Sequence, residues 1–202
     1  MSNNVVFYTN PRSRGRIVRW MLEEVGEPYE TQIVEYGPPM KSPEYLAINP
    51  MGKVPAIAHR GSVVTECSAI CAYLADAFPA AGLAPALDER ASYYRWLFFA
   101  AGPLESALLN KGLGITLPSD KEATAGFGNL ALTLDALEQA VSSSDFIAGD
   151  RFSAADVYVG AQIGWGLQFN TMEKRDAFVA YAARALDRDA YRRAEEIDGP
   201  MG

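Results

Sequence analysis

The strand-like stretches of this chain stop abruptly, and no other feature constrains its fold more. "NVVFYT", "YETQIVEY" and "VPAIAHRGSVVTE" are rich in β-branched and aromatic residues, and all three lie within residues 1–80. Between the first two, Ile17, Val18, Met21, Leu22 and Val25 recur at helical spacing until Gly26 stops the helix. "SPEYLAINP" is predicted as a short helical turn, and "CSAICAYLADAF" as a helix that ends before Pro79. The order is β-α-β-(α)-β-β-α. After the Pro/Ala/Gly connector "PAAGLAPALDERA", the four remaining periodic stretches all carry a helical pattern: "ERASYYRWLFFAAGPLESALLN", "EATAGFGNLALTLDALEQAVS", "SAADVYVGAQIGWGLQF" and "KRDAFVAYAARALDRDAYRRA". An α/β unit followed by an all-helical one predicts two domains, 1–80 and 91–202, with a linker at 81–90.

Composition narrows the function classes. With 25 acidic against 18 basic residues the formal net charge is −7, which argues against nucleic acid or an anionic membrane surface as partner. "MSNNVVFY" has neither the basic start nor the apolar run of a signal peptide, and no apolar run approaches the roughly 18–20 residues of a membrane span. Two cysteines, Cys67 and Cys71, make no disulfide framework, so a reducing cytoplasm is expected. With His59 the single histidine, a soft-metal site is not expected.

The acidic chain nevertheless concentrates four arginines in "YTNPRSRGRIVRW", at the start of its first helix, where cations are mildly unfavourable. At about 100° per residue, Arg12, Arg16 and Arg19 share one stripe, away from Ile17, Val18, Met21 and Val25. They are predicted to form a solvated or interface face. Arg14 falls at the N-terminal end of the apolar stripe, where a ligand or a buried acid would meet it. In the alternative reading all four are surface charges that balance acids such as Glu23 and Glu24.

Three further stretches carry local chemistry. In "NPMGKVPAI", Pro55 cannot donate to a ladder and belongs at the start of a strand or on an edge. In "TECSAICAYLAD", Glu66 and Cys67 stand at a helix entrance, where backbone N–H groups favour a carboxylate and an acid can pair with an ammonium group; Glu66 also suits a first-turn acid. In "AGDRFSAADVYVG", Ser153 and Asp156 have capping-box spacing, a structural feature.

Together, in this order and spacing, these stretches resemble the cytosolic glutathione transferases, over essentially the whole chain. The resemblance implies a thioredoxin-like domain followed by a helical bundle, and glutathione as co-substrate with no prosthetic group. It also implies a cytoplasmic, detoxifying homodimer. Glutathione would be held by Lys53, by Val54 and Pro55 joined through a cis peptide bond, and by Glu66 and Cys67. Cys67 stands where the family usually has serine. The thiol-activating residue of the family varies in type and place, and counting back from Gly26 puts it between Asn10 and Arg14. Ser13 is the first candidate and Asn10 the second, with Arg14 as electrostatic support. Tyr93 and Trp96 are the candidates for the wall of a hydrophobic electrophile's pocket. Besides transfer to an electrophile, two readings remain: a glutathione-dependent disulfide reductase, and a non-catalytic binding protein.

Overall fold

Strand β1 (Val5–Thr9) lies between two neighbours, and that arrangement organises the first unit. A computed structural model describes residues 4–200. Strand β2 (Tyr29–Ile33) pairs parallel to β1, whereas β3 (Ala56–His59) runs antiparallel to β1 and β4 (Ser62–Thr65) antiparallel to β3. The sheet order is β2-β1-β3-β4. Helix α1 (Gly15–Val25) is the crossover between the parallel strands, as a parallel pair requires. It buries Ile17, Val18, Met21 and Leu22, and Gly26 closes it in the left-handed conformation (φ 74°). After the single turn α2 (Pro43–Leu46), helix α3 (Cys67–Ala77) follows β4 and buries Ile70, Cys71 and Leu74. This is the order predicted from the sequence.

The chain divides into two compact units, but not where the linker alone would cut it. Residues up to Leu83 are joined in the first unit by those from Arg188 onward; the second unit is Ala84–Asp187. The stretch "KRDAFVAYAARALDRDAYRRA", predicted as one helix, is two: α8 (Asp176–Leu186) and α9 (Asp189–Asp198). Arg188, extended at φ −134° and ψ 142°, separates them. Helix α9 packs on α1, with Trp20 against Tyr191 edge to face at 5.0 Å.

That packing overturns the expectation of a solvated arginine stripe. Arg16 and Arg19 are 4% and 3% exposed, and their partners are acids of α9. Arg19 Nε lies 3.2 Å from Asp198 Oδ1, and Arg16 lies 2.9 Å from Glu195 Oε1. The other half of α1 reverses the signs: Glu24 takes Arg188 through both oxygens at 2.6 and 2.7 Å, and Glu23 takes Arg193 at 3.0 Å. Basic first turns of α1 thus face the acidic end of α9, and acidic last turns face its basic start. Arg12 alone of the stripe is exposed.

In the second unit, α4 (Ala91–Phe99) and α5 (Glu105–Gly112) are joined by a π turn, Ala100–Leu104, which accommodates Pro103 with its missing N–H. Helix α6 (Leu130–Ser143) begins later than predicted. Asn129 accepts the Leu132 N–H at 2.9 Å, and the Ser119–Thr124 stretch is a 3₁₀ turn. Helix α7 (Ala154–Gln168) starts at the expected capping box. The carboxylate of Asp156 accepts from the N–H and hydroxyl of Ser153 at 2.9 and 3.0 Å. It also accepts from the Ile147 N–H and the Tyr181 hydroxyl, both at 2.7 Å. Burial pushes this carboxyl up, against four bonds that favour its ion. Among the described residues, no helix is long and apolar enough to cross a membrane.

Candidate functional site

The register of the sheet brings three distant stretches to one end of it. Tyr8 pairs with Ala56, and Ala56 with Thr65, so these three residues form a row across β1, β3 and β4. Each stretch of interest begins one or two residues beyond that row: Asn10–Ser13 after β1, Val54–Pro55 before β3, and Glu66–Cys67 after β4. Helices α1 and α3 then start side by side. The Cys67 thiol donates to the Arg14 carbonyl at 3.6 Å, joining their N-termini. Two helix starts, with Arg12, Arg14, Lys41 and Lys53 exposed around this end of the sheet, suit an anionic ligand.

Asn10 and Ser13 form a tight turn in which their roles differ. Asn10 is 1% exposed; its side chain donates to the Val34 carbonyl at 3.2 Å and accepts the Arg12 N–H at 3.0 Å. The carboxamide holds the turn to the segment after β2. Ser13 is half-buried, and its hydroxyl donates to the Asn10 carbonyl at 2.7 Å while accepting the Gly15 N–H at 2.9 Å. A rotation about χ1 is enough to re-aim that proton. Gly15 has no room for a side chain, because a Cβ there would fall 1.9 Å from Thr9 Oγ1. Arg14 is exposed at the cap position of α1.

The Val54–Pro55 peptide is cis, and the Val54 N–H and C=O take no hydrogen bond from the described residues. They are free to pair with an extended peptide as an added strand. The loop before them is held by residues that the motif reading passed over. Tyr45 Oη and Asn49 Nδ2 both donate to the Lys53 carbonyl at 2.7 Å, and Lys41 Nζ donates to the Met51 and Gly52 carbonyls. Burial, with Tyr8 adding to it, pushes the Tyr45 hydroxyl up to about 12, so it stays a donor. Asn49 also accepts the Met51 N–H, an Asx turn that "INPMG" signals in the sequence. Lys41 and Tyr45 carry no such local signal.

Glu66 is exposed with a left-handed φ of 67°. A non-glycine residue in that region is uncommon and costs free energy. Cys67 is buried behind it, one turn before Cys71, whose thiol burial pushes well up. Tyr93 and Trp96, expected to line a second pocket, are 1% and 6% exposed. They are part of the buried core of α4.

The family model for the glutathione S-transferase N-terminal domain matches residues 13–77, which spans the turn at Ser13, the cis proline and Glu66. Glutathione S-transferase F10 of Arabidopsis thaliana is 31% identical over 147 residues, covering 67% of this chain and 68% of its own. The chain belongs to the glutathione S-transferase family. Its N-terminal part is thioredoxin-like and its C-terminal part is helical, as in the family. A solved sphingomonad glutathione S-transferase, complexed with glutathione, matches 96% of this chain and 98% of its own at 27% identity, with a TM-score of 0.76. The chain is also similar to a protein of another name: a stringent starvation protein A homolog of Pasteurella multocida is 26% identical over 91% of this chain and 85% of its own.

Proposed function

We propose that this protein is a glutathione transferase in which the Ser13 hydroxyl stabilises the glutathione thiolate for attack on a hydrophobic electrophile. The observation that carries this reading is the convergence of Ser13, the open Val54 backbone and the strained Glu66 at one end of the sheet. Glutathione is an extended peptide with two carboxylates, one ammonium group and a central thiol. Its cysteinyl backbone pairs with Val54, which puts the sulfur near the start of α1. Glu66 pairs with the γ-glutamyl ammonium, and the α3 N-terminus at Cys67 takes the adjacent carboxylate. Lys53 suits the glycyl carboxylate, and Pro55 shapes the edge.

The Ser13 proton turns from the Asn10 carbonyl to the sulfur, and Arg14 adds positive potential. The thiol proton passes to solvent. The thiolate then forms a C–S bond as the electrophile loses its leaving group or opens its π bond. Asn10 acts through the turn, because its carboxamide is tied to Val34. The site works in the cytoplasm, in a symmetric dimer.

The test is the ultraviolet absorbance of the bound thiolate against pH. Wild type should lower the thiol pKa by about one unit or more, and Ser13→Ala should return it toward the solution value. Kinetically, Ser13→Ala should lose about 10²-fold or more in kcat with a small change in KM. A wild-type thiol that titrates as in solution would favour the second reading, a non-catalytic binding protein.

A further inference from the structure

The turn that carries Ser13 is tied to the far end of the chain through one side chain. Arg16 sits one helical turn beyond Ser13, and its guanidinium reaches in three directions. Nη1 donates to the Pro11 carbonyl at 3.2 Å, within the turn itself. Nη2 donates to the Gly199 carbonyl at 2.8 Å, just past the end of α9. Nε and Nη2 both face Glu195 Oε1, at 3.3 and 2.9 Å. The group is 4% exposed, so water cannot substitute for these partners at little cost.

Among the described residues, the bonds of Arg19, Arg188 and Arg193 to their acids lie away from the turn. Arg19 reaches Asp198, Tyr29 and Thr31; Arg188 and Arg193 hold Glu24 and Glu23 at the opposite end of α1. All of these can stabilise the unit. Arg16 alone of the four joins the helix pair to the residues that precede α1. The Pro11 carbonyl it holds lies two residues before Ser13, between Asn10, which anchors the turn to Val34, and the hydroxyl itself.

We infer that Arg16 is a positioning residue for the transferase reaction: it fixes the 10–13 turn against α9 so that the Ser13 hydroxyl can reach the sulfur of bound glutathione. This rests on the reading of Ser13 given above. Arg16 touches neither glutathione nor the electrophile. Its donors are pre-aimed by Glu195 and Gly199, which stand 179 and 183 residues away in sequence. With the turn released, the hydroxyl would keep its local bond to Asn10 instead of the sulfur. Binding of the tripeptide by Lys53, Val54 and Glu66 would continue.

The test titrates the bound glutathione thiol in the full-length chain for wild type, Arg16→Met, Arg16→Lys, Glu195→Ala and Arg193→Met. Arg16→Met keeps the apolar stem and removes every donor. It should raise the bound thiol pKa by about one unit and lower kcat about tenfold below that pKa, with KM changed no more than about twofold. Arg16→Lys should recover part of the shift, since one ammonium can still reach Pro11 or Glu195. Glu195 is partly exposed and Arg16 keeps its two carbonyl partners, so Glu195→Ala should fold, and it should shift the thiol in the same direction by less. Arg193→Met breaks a pair between the same two helices; it should lower the melting midpoint and leave the thiol at its wild-type pKa.

The inference is overturned if Arg16→Met titrates as wild type, or if Arg193→Met shifts the thiol as far as Arg16→Met does. Should Arg16→Met fail to fold, a wild-type titration in Glu195→Ala overturns it instead. A wild type that does not depress the thiol pKa refutes the role of Ser13 and removes the basis for Arg16 with it. That outcome is read from the parent protein and cannot be mistaken for a variant effect.

Discussion

Glu66 shows how one residue can serve the ligand against the interest of the fold. Its φ of 67° is a conformation that glycine adopts without penalty and glutamate does not. Glu66→Gly should therefore raise stability, by up to about 1 kcal/mol. The same change removes the carboxylate assigned to the γ-glutamyl ammonium and should raise KM for glutathione about tenfold or more. Paired thermal melts and initial rates decide this; a variant that loses stability while keeping KM would mean that the strained backbone serves the fold. Asn10 and Ser13 make the complementary point. Both side chains are polar and three residues apart, and the sequence offered both as thiol donors. The structure separates them, since one is anchored to a carbonyl 24 residues away and the other bonds only within its own turn.

Among the elements, α7 depends on its first turn. Asp156 satisfies two backbone N–H groups, the Ser153 hydroxyl and the buried Tyr181 hydroxyl at once. Asp156→Ala strands buried donors and should cost about 3 kcal/mol or more, whereas Ser153→Ala, which leaves the carboxylate in place, should cost about 1 kcal/mol. Burial raises the Asp156 carboxyl above its ordinary 3.8, so the folded chain holds that proton more tightly than the unfolded chain does. Protonation of Asp156 therefore favours the fold, fully below pH 3.8, and that contribution is lost as pH rises through the folded value. The stability difference between wild type and Asp156→Asn should decline with pH over that window and stay level above it. Denaturant melts at several pH values measure it, and a difference that grows with pH would show that the four hydrogen bonds outweigh burial.

For the whole molecule, the informative element is the last one. Helix α9 follows the helical unit in sequence but completes the first unit, where it covers Trp20 and neutralises Arg16 and Arg19. Removing residues from Arg188 onward would expose Trp20 and take the carboxylates from Arg16 and Arg19, a loss of about 3–5 kcal/mol. At about 2–4 °C per kcal/mol the melting midpoint should fall by about 10 °C or more, and glutathione binding should weaken with the first unit. A truncated chain with an unchanged midpoint would show that α1 is stable without its cover. The amino-acid sequence alone determined the strand and helix order of residues 1–80, the stop at Gly26, the capping box at Ser153 and the family. Each of these rests on neighbours within a few residues, or on motifs that survive as strings. Only the tertiary structure decided the partners of Arg16 and Arg19, the break that sends α9 back to α1, and the burial of Tyr93 and Trp96. A helical stripe records which residues share a face. What covers that face is set by a segment 179 residues away, and no local periodicity encodes it.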